Sequence, residues 1–116
     1  MRSLLSALAV TLVIQIQPRA QVPSSEAAVA DKGRQVFEQY KCLLCHSLDG
    51  KGGKLSVALD GVADRRDAAA MKRILLSPEK ELAGSKAKIK MPVFPFKDGE
   101  VDALVAYMQT HRKAGK

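Results

Sequence analysis

The chain has 116 residues, room for one domain, and carries 19 lysines and arginines against 12 acidic residues, a formal charge of +7. Two tyrosines, three phenylalanines and no tryptophan offer little to stack on bases, and with no recognition motif present the basic charge does not imply nucleic-acid binding. The two cysteines are separated by two residues, so a disulfide between them would close too short a loop to staple a fold.

The first segment reads as an address. Arg2 gives a positive start, and Leu4 to Ile16 is apolar apart from Ser6, Thr11 and Gln15. That run falls short of the roughly 20 residues a transmembrane helix needs and suits the apolar region of a secretory signal. A signal peptide is expected over 1–20, with the cut between 20 and 27, because Pro18-Arg19-Ala20 is an imperfect small-x-small site and Ser25-Glu26-Ala27 a better one. A flexible leader over 21–28 and a folded domain over 29–113 follow. Export to the periplasm is expected, with no stable membrane span in the mature form; an uncleaved, shallowly inserted anchor is the minority alternative. Loss of Arg2 and Arg19 leaves 17 basic residues against 12 acidic, or +5.

From Glu26 to Tyr40, Val29, Gly33, Val36, Phe37 and Tyr40 recur at helical spacing and predict one apolar stripe. Gly33 in a helix interior costs roughly 1 kcal/mol against alanine, which suggests that another backbone comes close there.

Lys41-Cys42-Leu43-Leu44-Cys45-His46 then gathers both cysteines and one of the two histidines. Cys-x-x-Cys-His on one tight turn sets two sulfurs to add across the vinyl groups of a haem and places the next imidazole under the iron. Cys42 and Cys45 are therefore the expected thioether anchors of one covalent haem c, and His46 the expected axial ligand. A dithiol redox site is disfavoured because no strand precedes Cys42. A zinc site would need a fourth ligand, and only His111, beside Arg112 and Lys113, remains.

Residues 47–66 read as a loop broken by Gly50, Gly52, Gly53 and Gly61. Asp67 is expected to cap a helix over Ala68–Leu76, stopped by Pro78, with Met71, Ile74 and Leu75 on its buried side. The loop from Ala83 to Asp98 leads through Lys86, Lys88 and Lys90 into Met91-Pro92-Val93-Phe94-Pro95-Phe96. Pro92 biases Met91 toward extended backbone, from which its thioether can project as a soft sixth ligand to the iron. Met71 and Met108, at helical spacing among apolar residues, read as core. Asp98 is expected to cap a last helix through about His111, with Val101, Leu104, Val105 and Met108 on one face and Tyr107 at its border.

Gly33 with Phe37 four residues later, the pentapeptide, and Leu104 with Tyr107 on the last helix together resemble the class I cytochrome c family. The resemblance covers about Val29 to Arg112. It implies an all-α fold of three or four helices around one covalently attached haem, the first and last helices crossing at Gly33, and a ligand methionine late in the chain at Met91. In that family a proline usually presents a carbonyl to the proximal histidine. No proline lies between His46 and Pro78, so the acceptor is expected within Leu55–Leu59. The function implied is one-electron transfer by His/Met-ligated haem, as a free carrier or the haem subunit of an oxidoreductase complex. The alternative is a five-coordinate haem sensor or a small peroxidase-like enzyme. Lysines on both sides of the expected haem suit an acidic redox partner such as a dehydrogenase, oxidase or reductase.

Overall fold

A computed structural model of the protein describes residues 11–17 and 25–113. The expected signal peptide lies largely outside the described residues; its portion 11–17 is exposed and carries no regular structure. Among the described residues no helix is long and apolar enough to cross a membrane.

Five helices and one short hairpin make up the rest. Helix α1 spans Ser25–Gln39, so the last four residues of the expected leader are helical. A 3₁₀ turn follows at Cys42–Leu44. Strands β1, Ser47–Leu48, and β2, Lys51–Gly52, pair antiparallel with Ser47 opposite Gly52 and Leu48 opposite Lys51. Helices α2, Val62–Arg65, α3, Ala68–Leu76, α4, Pro78–Glu81, and α5, Glu100–Gln109, complete the chain.

The core lies where α1 and α5 cross. Val36 and Phe37 from α1 pack with Leu104, Val105 and Met108 from α5 and Met71 from α3. The expected close approach at Gly33 is present: a Cβ there would lie 1.9 Å from the Ala103 carbonyl oxygen and 2.7 Å from Tyr107 Cβ. Only glycine lets the two backbones meet this way. Phe37 meets the Tyr107 ring edge-on at 5.5 Å between centroids. The predicted stripe on α1 is shorter than expected, because Val29 lies beyond the crossing and is 42% exposed.

Asp67 caps α3 as expected, its carboxylate accepting the Ala70 amide at 2.7 Å. Pro78 does end α3, and it then occupies the first turn of α4, where its missing N–H has no helical partner to lose. Asp98 is not the cap of the last helix. The N-cap is Gly99, at φ 80°, because the turn before the helix closes between Glu100 N and Lys97 O at 3.1 Å and leaves Asp98 exposed. The helix also ends at Gln109, short of His111. The stretch 47–66, expected as plain loop, contains the hairpin and α2. α2 is fastened by Ala63 N donating to His111 O at 3.1 Å and Lys113 N to Asp64 Oδ2 at 2.8 Å.

Candidate haem site

The pentapeptide folds as a closed turn. Leu44 N donates to Lys41 O at 3.0 Å, and Cys45 N and His46 N both donate to Cys42 O, at 3.3 and 3.0 Å. Lys41 enters the turn in the left-handed region, at φ 53°. The next loop lies flat against this turn: Gly53 N donates to Leu43 O at 2.8 Å and Ser56 N to Cys45 O at 2.9 Å. A Cβ on Gly52 would lie 2.3 Å from His46 O, which is why glycine stands where the loop crosses.

That loop delivers an acceptor to the histidine. His46 Nδ1 is 2.7 Å from Val57 O. A carbonyl can only accept, so Nδ1 carries a proton, and Nε2 is the nitrogen left to bind a metal. Val57 lies within the Leu55–Leu59 stretch expected to supply this acceptor. Arg65 braces the stretch from behind, donating to Ala58 O at 2.9 Å and Asp60 O at 2.7 Å.

His46 and Cys42 line a cavity of about 920 Å³, and Met91 lines the same cavity. Its walls are mainly apolar, with Phe37, Leu59, Val62, Leu75, Pro78 and Leu104 among them, while Arg65, Arg66 and Lys90 bring positive charge to it and Glu79 and Glu81 negative charge. These residues fit a haem: a large, mainly apolar hollow, the Cys42 thiol at its wall with Cys45 on the same turn, an imidazole whose Nε2 is not taken by the Val57 carbonyl, a thioether, and cations suited to carboxylates. Cys45 is half-buried on the same turn but is not part of the cavity lining.

Three methionines reach the cavity, Met71, Met91 and Met108. Met71 and Met108 are also buried core residues, as expected from their spacing. The Met71 sulfur is already engaged, accepting from Gln109 Nε2 at 3.2 Å. Met91 is half-buried on a loop, and among the described residues no side chain is bonded to its sulfur.

Burial pushes the Cys42 thiol up to about 11, with neighbouring Cys45 adding to the rise. A dithiol redox site needs the opposite, a thiolate populated near neutral pH. Among the described residues no cluster of three His, Cys, Asp or Glu side chains is placed to hold a metal ion. His111 sits against Tyr107 instead, ring centroids 4.7 Å apart, with its Nε2 buried and unpartnered. This burial was not anticipated for a residue so near the chain end; the signal was Tyr107 one helical turn earlier.

The sequence pattern also missed a second constellation. Glu100, in the first turn of α5, is buried and accepts from the Tyr40 hydroxyl and from Lys97 N.

The cytochrome c family model matches residues 30–112, and the chain belongs to the cytochrome c family. The family's cofactor is covalently bound haem c, and the Cys42-Leu43-Leu44-Cys45-His46 spacing for it is present. The fold matches that of a cytochrome c from Rhodothermus marinus with a TM-score of 0.64, at 24% identity, over 83% of this chain and 90% of that one. Two curated relatives are larger proteins. Lupanine 17-hydroxylase [cytochrome c] from a Pseudomonas species is 28% identical over 92 residues, which is 78% of this chain and 12% of the relative. Cytochrome c oxidase subunit 2 from Alkalihalophilus pseudofirmus is 26% identical over 100 residues, again 78% of this chain, and 28% of the relative. The chain thus spans a small part of either length.

Proposed function

We propose that this chain is an electron-transfer protein rather than an enzyme, with haem c joined to Cys42 and Cys45 and its iron held by His46 and Met91. One electron enters from a reduced partner and leaves to an oxidised one. Bound haem supplies an iron that alternates between Fe(III) and Fe(II). The chain's own residues do the rest. The bond from His46 Nδ1 to Val57 O fixes the tautomer and raises the basicity of the ligating nitrogen. With haem bound, the soft Met91 sulfur would favour Fe(II), and ligation by both His46 and Met91 would leave the iron no position for a substrate. The apolar walls keep water from the iron.

The observation that carries this reading is a histidine whose Nδ1–H is committed to a carbonyl, on the wall of the cavity that Met91 also lines. Lys86, Lys88 and Lys90 are exposed, and among the described residues none of them is paired with a carboxylate. With Lys51 and Lys54 they steer an acidic redox partner such as a dehydrogenase, oxidase or reductase. The work is done in the periplasm, after export on the signal at 1–20. The relatives named for a hydroxylase and an oxidase subunit favour a second form of the same reading, in which the chain is the haem subunit of a larger oxidoreductase.

The test is the visible and near-infrared spectrum of the oxidised holoprotein beside that of Met91→Ala. The parent should show a weak long-wavelength iron–sulfur charge-transfer band that the variant lacks. A high-spin parent spectrum, unchanged by the substitution, would instead indicate an open iron site and turn the reading toward a ligand-binding or peroxidase-like protein.

A further inference from the structure

Glu100 is the only buried charged side chain among the described residues, at 8% exposed. A carboxylate taken out of water must find donors inside the protein, and Glu100 finds them on two segments that flank the cavity. The Tyr40 hydroxyl, at the end of α1 and two residues before Cys42, donates to Glu100 Oε2. The amide of Lys97, in the loop that follows Met91, donates to the same oxygen at 3.1 Å. Glu100 itself opens α5.

The Tyr40 ring holds the loop as well. Its hydroxyl lies 3.1 Å from Pro95 O, and the ring meets Phe94 and Phe96 edge-on at 5.7 and 4.8 Å. Phe94 and Phe96 pack on each other at 5.7 Å and are joined by a bond from Phe96 N to Phe94 O at 2.9 Å. Downstream of Met91 the loop is thus fastened from Phe94 to Glu100, with Pro92 and Pro95 stiffening it. Upstream it is nearly free: between Ala83 and Lys90 the fastenings are Ser85 N to Leu82 O at 2.9 Å and Ala87 N to Ser85 Oγ at 3.2 Å. The crossing of α1 and α5 is made elsewhere, at Gly33 and Ala103. A carboxylate is not needed to join those helices.

We infer that Tyr40 and Glu100 are positioning residues for the Met91 thioether, a clamp that ties the loop carrying Met91 to the segment carrying Cys42 and so keeps the sulfur in the cavity. This rests on Met91 being an iron ligand. When the clamp is loosened, the sulfur leaves the iron more often while the helices stay packed.

Imidazole added to the oxidised holoprotein measures this directly, because it binds the iron only while the methionine is away. Tyr40→Phe keeps the ring in its aromatic cluster and deletes the hydroxyl. It should raise imidazole affinity about tenfold, the worth of one hydrogen bond to a charged group. Glu100→Gln, which still offers an oxygen to both donors, should raise it about threefold. Val105→Ala, a core change away from the loop, should lower the denaturation midpoint and leave imidazole affinity at the parental value. If the parent shows the iron–sulfur band and both clamp variants bind imidazole as the parent does, the clamp is refuted and Met91 ligation stands. If the parent shows no band and Met91→Ala binds imidazole no more tightly than the parent, the ligation reading falls and the clamp with it.

Discussion

Between Lys41 and Leu59 the chain is held chiefly by its own main chain, with Leu44, His46, Gly53, Ser56 and Leu59 amides all bonded to carbonyls of the same stretch and the His46, Asp60 and Arg65 side chains adding to them. Between Ala83 and Asp98, on the loop that brings Met91, main-chain bonds are few and the fastening comes from Tyr40, Phe94, Phe96 and Glu100. The difference has a physical consequence. Main-chain bonds survive most side-chain substitutions, so the histidine side is fixed by glycine placement and loop length. The methionine side hangs on a handful of side chains and is the softer of the two.

The widest break is to remove what both sides enclose. Cys42→Ala with Cys45→Ala should yield a product without haem whose helical circular dichroism is largely lost, since so short a chain cannot keep a cavity of about 920 Å³ open without the group that fills it. Native-like helical dichroism from that product would contradict this.

Next comes the frame that both sides share. Gly33→Ala drives a methyl group into the Ala103 carbonyl, 1.9 Å away in the present geometry. A loss of about 3 kcal/mol in the denaturant unfolding of the holoprotein is expected, the upper part of the range for overpacking.

pH separates the two sides more gently. The Tyr40 hydroxyl, aided by the Lys97 amide, holds the Glu100 carboxyl below its ordinary value of 4.5. A lowered carboxyl stabilises the fold above its ordinary value, and that contribution is lost as pH falls through the lowered one. The bond to Glu100, with burial, raises the Tyr40 phenol above 10.0. Its contribution is whole below that value and is lost as pH rises through the raised one. The iron–sulfur band should therefore weaken at both extremes, and Glu100→Gln should remove the acid-side change attributable to this pair. An acid titration of the band identical in parent and variant would refute the assignment.

The smallest effect is expected on the firmer side. Val57 bonds His46 through its carbonyl, and the residue is 65% exposed. Val57→Ala should alter stability by no more than about 0.5 kcal/mol and leave the spectrum unchanged.

What could be read in advance follows the same division. The Cys42-Leu43-Leu44-Cys45-His46 spacing was legible because haem attachment needs its residues on one short turn, and Gly33 because a glycine inside an amphipathic helix calls for a close neighbour. The acceptor for His46 was legible only as a stretch, since a main-chain carbonyl has no residue signature. Glu100 was not legible as a buried group: its hydroxyl partner lies 60 residues away, and an acid in the first turn of a helix ordinarily faces water. Aspartate favours the N-cap position, which points to Asp98 in the sequence, whereas the turn closed by Lys97 and Glu100 gives the cap to Gly99.

In the function proposed, Met91, and neither Met71 nor Met108, would hold the iron together with His46. Proton NMR of the reduced, diamagnetic holoprotein carrying ¹³C-methyl methionine tests it most directly, because a methyl group held over the haem plane is carried far upfield by the ring current. One methyl signal should stand well upfield of the rest and vanish in Met91→Leu. Assignment of that signal to Met71 or Met108, or the absence of any such signal, would contradict the account.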